Sequence, residues 1–237
     1  MRVVVTRPRE DAERTASVLR NRGHEVLVAP LMRVEPVIAD LSGQWSAVVI
    51  TSANVLGAIS DNPMRLALLK LPLFAVGDRS AEAAEEAGFA DVRSAGGNVH
   101  DLVRLLAERQ AGAPPPLLYL AGEDRAADFV GELSACGIRA EMRVVYRAIT
   151  VPFPPELVEA LAAGEVDEML HFSKRSAENY LAGAAAAGIV AQALAVRHVC
   201  LSEQIAKPLA AAGAASIAIA AKAAEAALIE LIAPPPG

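Results

Sequence analysis

Residues 47–60 read AVVITSANVLGAIS. The opening Ala47-Val48-Val49-Ile50 is an apolar run of the kind that forms a strand buried on both faces. The chain then turns through Thr51-Ser52-Ala53-Asn54. Val55, Leu56 and Ile59 follow at helical spacing, which predicts a helix over 53–60. Thr and Ser hydroxyls cap helix starts, and free N–H groups at a positive helix end suit an anionic ligand. A second copy stands at 168–181, EMLHFSKRSAENYL, with Ser173 in the place of Ser52. One such segment is no more than the start of a crossover helix. Two at matching places point to a shared ligand role.

Outward from this segment the chain alternates short apolar strands with helices. Strands are predicted over 3–5, 26–29, 47–50, 73–76, 117–120, 169–172, 199–201 and 217–219, with a short edge at 90–92. Helices are predicted over 10–22, 53–60, 80–87, 98–109, 125–135, 157–163, 176–187, 204–212 and 222–232, several of them closed by glycine. Residues 30–37 and 143–149 read as extended runs, 113–116 as a proline-rich break, and 234–237 as a mobile tail. This alternation predicts parallel sheets with helices on both faces.

The pattern repeats within the chain. FAVGDRSAEAAEEAG, ending at Gly88, matches VCLSEQIAKPLAAAG, ending at Gly213. The helix from Asn98 matches the one from Lys222. TRPREDAERTASVLRNRG, ending at Gly23, resembles LAGEDRAADFVGELSACG, ending at Gly137. The order is A, B, A′, B′. Either A joins B, or the middle pieces form one lobe and the outer pieces the other; the pattern leaves both open.

Composition narrows the class. The 237 residues are 54% hydrophobic, but much of that share is alanine, and no apolar run reaches the roughly 18–20 residues a spanning helix needs. Arg7, Arg9, Glu10 and Asp11 follow the first strand at once, which is not a signal peptide. A net charge of −6 argues against nucleic-acid binding. Cys136 and Cys200 are too few for a disulfide framework and read as buried small hydrophobes. His24, His100, His171 and His198 lack metal-ligand spacing. These features describe a cytoplasmic protein with no membrane partner.

The residues carrying a family resemblance are VVVTRP, VITSANV, FAVG, GGNVHDLV, LLYLAGEDR, VVYRA, HFSKRSAENY and KAAEAALIELI. In this order they resemble uroporphyrinogen-III synthase over residues 1–233. The resemblance implies an α/β protein of two flavodoxin-like lobes with parallel sheets. One lobe would hold residues 1–33 and 152–237, the other 38–144. Strands 34–37 and 145–151 would join them as a two-stranded antiparallel connector, with the substrate in the cleft between lobes. It implies a monomer without a cofactor. The reaction implied is a cyclising dehydration of hydroxymethylbilane, a linear tetrapyrrole with eight carboxylates. Ring D inverts through a spiro intermediate and the type III isomer results.

That chemistry sets three tasks. Carboxylates must be anchored, for which Thr51, Ser52, Gly77 and Ser173 offer backbone N–H groups or hydroxyls at helix starts. Gly122 in LLYLAGEDR belongs to the same set by resemblance. Arg7, Arg9, Arg79, Arg125, Lys174 and Arg175 stand at strand ends as added charge or as plain surface cations. Hydroxide must leave, and Tyr146, matching the family's cleft tyrosine, is either the donor or a packing residue. The cation must be stabilised, and positioning supplies much of that. One departure stands out: the family's Gly-Pro-x-Thr segment reads Leu201-Ser202-Glu203-Gln204-Ile205 here, leaving Ser202 and Gln204 as the candidate contacts. Other readings of two α/β lobes are a catalytically impaired tetrapyrrole-binding or regulatory protein, an exported binding protein, or a sugar-phosphate isomerase.

Overall fold

A computed structural model describes residues 1–110, 115–124 and 128–233. In chain order the elements are β1 (Arg2–Val5), α1 (Arg9–Asn21), β2 (Glu25–Val28), β3 (Met32–Pro36), β4 (Val48–Ile50), α2 (Asn54–Ala58) and α3 (Arg65–Leu68). Then come β5 (Leu73–Ala75), α4 (Asp78–Glu86), β6 (Val92–Ser94), α5 (Val99–Gln110), β7 (Leu117–Gly122), α6 (Phe129–Ala135) and β8 (Ala140–Thr150). The last third holds α7 (Pro155–Ala162), β9 (Glu168–His171), α8 (Lys174–Ala186), α9 (Val190–Ala195), β10 (Arg197–Cys200), α10 (Glu203–Ala211), β11 (Ser216–Ile219) and α11 (Glu225–Ile229). The fold is mixed α/β with two sheets of mostly parallel strands.

The chain forms two compact units, Met1–Arg33 with Ile149–Gly237, and Val34–Ala148. The first has strand order β11-β10-β9-β1-β2, all parallel. In β1, Val3, Val4 and Val5 are wholly buried. Val4 joins a core with Leu157, Met169, Tyr180 and Leu209, while Val3 and Val5 join one with Ala12, Leu19, Leu170 and Leu228. A strand covered on both faces has no polar side, which is why it reads as VVV. Alanines such as Ala12, Ala16, Ala177 and Ala184 are buried where the helices meet the cores, so the alanine richness is used as packing. Gly23, at φ 86°, ends α1 in the left-handed region that glycine enters without strain.

The second unit has the order β3-β8-β7-β4-β5-β6, with β4 inside the sheet. Val48 and Ile50 face a core with Trp45, Leu73 and Leu120; Val49 faces one with Phe74, Leu102 and Leu133. Its run β8-β7-β4-β5-β6 matches β2-β1-β9-β10-β11 of the first unit strand for strand. The internal repeat therefore reappears as spatial order.

Several expectations are corrected. The helix over 53–60 is the five-residue α2, with Gly57 inside it and no side-chain cap. The helix over 222–232 shrinks to α11, because the chain bends through 221–224, Ala224 is extended, and Glu225 is held by Arg7 and Thr15. The unassigned stretches 61–72 and 189–195 contain α3 and α9. Cys136 is exposed, at the end of α6, whereas Cys200 is buried. Arg125, residues 113–114 of the proline-rich break and the tail 234–237 lie outside the described residues.

In the first unit the buried Glu168 carboxylate meets the Arg197 guanidinium, and Arg197 also donates to the Leu231 carbonyl at 3.1 Å. The pair ties two neighbouring strands to the end of the chain. Arg197→Ala is expected to lower unfolding stability by about 3–5 kcal/mol, since it strands a buried charge. Urea denaturation checks this. Replacing both partners with apolar residues should recover most of the loss.

Candidate active site: hydroxyls and a tyrosine at the strand ends

In open parallel sheets, ligands bind beyond the carboxyl ends of the strands, where successive connections diverge to opposite sides. In the first unit that point lies between β1 and β9, beside Thr6-Arg7 and Phe172-Ser173. In the second it lies between β4 and β7, beside Thr51-Ser52 and Gly122. Gly77 follows β5, and Ser202 and Gln204 follow β10.

In the second unit the Thr51 hydroxyl lies 3.1 Å from the Tyr119 hydroxyl, a residue that sequence reasoning passed over. Ser52 Oγ accepts from the Asn54 N–H at 3.3 Å. α2 has too few turns to build a helix dipole, so the anion site expected of one there is corrected. What remains is the hydroxyls. Gly77 begins α4 with φ −155°, an extended shape open to any residue.

Gly122 is different. Placing a Cβ there would bring it within 2.6–2.8 Å of ring carbons and the hydroxyl of Tyr146. The missing side chain lets the half-buried phenol lie directly on the end of β7. The Glu123 N–H donates to the Tyr146 carbonyl at 2.9 Å, fixing the backbone of the same pair.

In the first unit Ser173 caps α8 reciprocally with Ser176: Ser173 Oγ accepts from the Ser176 N–H at 3.1 Å, and Ser176 Oγ from the Ser173 N–H at 3.2 Å. The two repeat copies thus differ, since Ser52 caps nothing comparable. Lys174 is 64% exposed and pairs only loosely with Glu178 at 3.4 Å. Ser202 opens α10 at φ −159°, so serine in the family's glycine place costs no backbone strain. Gln204 and Glu203 are exposed.

Arg7 is engaged by groups of its own unit. Its side chain is 11% exposed, bound to Glu225 at 2.9 Å and Asp11 at 3.3 Å, with its guanidinium 4.2 Å from the Phe172 ring centroid. Two carboxylates already match its charge. Burial alone would raise the Glu225 pKa, but the Thr15 hydrogen bond and Arg7 outweigh it and hold the carboxyl below its usual value. Arg7 shapes the strand end and anchors α11.

Behind the ends of β9 and β10 sits a buried histidine pair, His171 Nε2 and His198 Nδ1, 3.0 Å apart. Both side chains are inaccessible. Burial, and then the neighbouring His198, push His171 well below the ordinary 6.5. Burial pushes His198 down to about 4, with the Ala193 carbonyl opposing. Their spacing in sequence gave no hint, because the pairing depends on β9 and β10 being neighbours. Among the described residues no cluster could hold a metal ion, and no helix is long and apolar enough to cross a membrane.

The chain is a two-unit α/β protein with hydroxyl side chains at the carboxyl ends of its strands. The family model described as uroporphyrinogen-III synthase HemD matches residues 13–230. A uroporphyrinogen-III synthetase from Helicobacter pylori is similar at TM-score 0.65 and 18% identity, over 88% of this chain and 91% of that one. A mutant uroporphyrinogen III synthase from Thermus thermophilus is similar at TM-score 0.52 and 19% identity, over 97% and 96%. Comparison with curated proteins gives no match. The chain belongs to the uroporphyrinogen-III synthase family, and its activity is the cyclisation of hydroxymethylbilane in tetrapyrrole biosynthesis.

Two outcomes are expected. Gly122→Ala should cost about 1–3 kcal/mol by overpacking, and most of that should return when Tyr146→Ala is added; a urea double-mutant cycle measures the coupling. The histidine pair should make stability fall on mild acidification. An unfolded histidine protonates near 6.5 while the folded pair resists, so stability is complete above about pH 6.5 and is lost as pH falls toward about 4. Between pH 7.5 and 5 the loss should be roughly 2 kcal/mol per histidine, read from urea midpoints.

Proposed function

We propose that the cyclisation proceeds with inversion of ring D through a spiro intermediate and yields the type III isomer. Loss of the terminal hydroxyl as water leaves a delocalised cation on ring A, and ring D attacks through its substituted α carbon. The spiro ring then opens and recloses with ring D reversed. One molecule of water leaves and no electrons are transferred, so the stoichiometry calls for no redox cofactor.

Within each unit the carboxylate contacts are assigned to strand-end groups: Thr51, Ser52, Gly77 and Gly122 in the second, Ser173, Lys174, Ser202 and Gln204 in the first. Tyr146 donates its phenolic hydrogen to the departing oxygen. The observation that carries this reading is the Gly122–Tyr146 contact, in which an absent side chain seats a phenol on the end of β7, a strand that borders the topological switch point. Arg7 takes the supporting role described above.

The finer architecture belongs to the same reading. The first unit's strand order, numbered within that unit, is 2-1-3-4-5, the flavodoxin-like order. The domains are taken as 1–33 with 152–237, and 38–144. Strands 34–37 and 145–151 serve as an antiparallel connector, supported by bonds from Val37 N–H to the Val145 carbonyl and from Val151 N–H to the Leu31 carbonyl.

The test supplies freshly made bilane and separates the product isomers. Type III product is expected; type I alone, at the uncatalysed rate, would refute the proposal. Tyr146→Phe should lower kcat by about 10²-fold with KM little changed. A wild-type kcat would remove the phenol from the mechanism and leave the cyclase reading intact.

A further inference from the structure

We infer that Tyr119 is a positioning residue that sets the direction of the Thr51 hydroxyl, making Thr51 a donor aimed at a substrate carboxylate; this rests on the assignment of Thr51 just made. Tyr119 lies on β7 opposite Val49 of β4. Its hydroxyl reaches past the strand end to Thr51 Oγ1 at 3.1 Å. The tyrosine is 4% exposed, and its ring stands edge-on to Phe129 with centroids 4.8 Å apart. Among the described residues, the hydrogen-bond partner of this phenol is Thr51.

The direction of the bond follows from the two hydroxyls. A buried phenol needs an acceptor for its proton, and a phenol is the more acidic partner of an aliphatic alcohol. Tyr119 therefore donates and Thr51 accepts. The reverse orientation would leave the phenolic proton unmatched in a buried site. A threonine hydroxyl has one proton and two lone pairs. With one lone pair taken from behind, the Thr51 proton is directed away from Tyr119. Thr51 is partly exposed, so that proton reaches the open end of the strand. Accepting from Tyr119 also strengthens Thr51 as a donor, since chained hydrogen bonds polarise one another. A carboxylate is an acceptor only, which is the partner this oriented donor fits.

The arrangement lets an acidic protein recognise an anion without placing a free cation at that point. It also gives Thr51 and Ser52 distinct tasks. Ser52 accepts from the Asn54 N–H, which holds the turn and leaves its own proton to donate, while the Thr51 proton is aimed by Tyr119.

The test is steady-state kinetics with hydroxymethylbilane on Thr51→Ser, Thr51→Val, Tyr119→Phe and the double variant Tyr119→Phe/Thr51→Val. Thr51→Val should raise KM about 10–100-fold, as loss of a hydrogen bond to a charged group does. Thr51→Ser, which keeps a hydroxyl at the position, should reverse most of the KM rise of Thr51→Val. Tyr119→Phe keeps the ring contact with Phe129 and should raise KM about 3–10-fold with kcat within about twofold, the signature of lost uniform binding. The double variant should match Thr51→Val. A wild-type KM in Tyr119→Phe beside a raised KM in Thr51→Val overturns the relay and leaves the site. A wild-type KM in Thr51→Val overturns the assignment of Thr51 and the relay with it. Additive effects in the double variant also overturn the relay. Should Tyr119→Phe fold poorly by circular dichroism, 3-fluorotyrosine at position 119, a more acidic phenol of nearly the same size, should lower KM; an unchanged or raised KM counts against the relay.

Discussion

The strands β1 and β4 are covered on both faces, and the rest of each unit follows from that. Val3–Val5 and Val48–Ile50 carry no polar face and show no exposed surface. A parallel strand so placed requires a helical crossover on each side, and the crossovers run to opposite sides of the sheet. Where they part, the strand carboxyl ends lie open. Thr51, Gly122 and Ser173 stand at these openings because of the sheet order and not because of any local motif.

The groups that stand at these openings are mainly hydroxyls, backbone and the phenols of Tyr119 and Tyr146. Arg7, at the end of β1, is bound to Glu225, and Arg197, at the opposite, amino end of β10, to the buried Glu168; both hold the end of the chain against the first unit. A buried pair of this kind contributes specificity of arrangement more than stability. The proposed site, in which neutral donors outnumber the one assigned cation, Lys174, suits a reaction whose intermediate is itself a cation. It also suits a race against spontaneous cyclisation, where holding one geometry matters more than any single proton transfer.

Much of the fold was legible in the residues. Strands 47–50 and 169–172 were placed within a residue or two, and the A, B, A′, B′ repeat reappears as matched strand order. The candidate positions were legible in the residues; the contacts that each side chain makes within the fold were not. Arg7 looked like a substrate cation because its partner Glu225 lies at the far end of the sequence. The segment after Ile50 looked like a capped helix because Val55, Leu56 and Ile59 keep helical spacing, yet Gly57 and the absent cap leave five helical residues. Tyr119 was passed over in the sequence; its ring belongs to a core, and its hydroxyl meets that of Thr51.

The residues by themselves determined the elements, their alternation and the repeat, because periodicity, capping and glycine stops act within a few positions of one another. The tertiary structure alone decided which strands are neighbours. That choice sets the contacts of Tyr119 with Thr51, Tyr146 with Gly122, His171 with His198 and Arg7 with Glu225. Each joins groups on different elements, and sheet order, which is a property of the folded chain, brings them within hydrogen-bonding or packing distance.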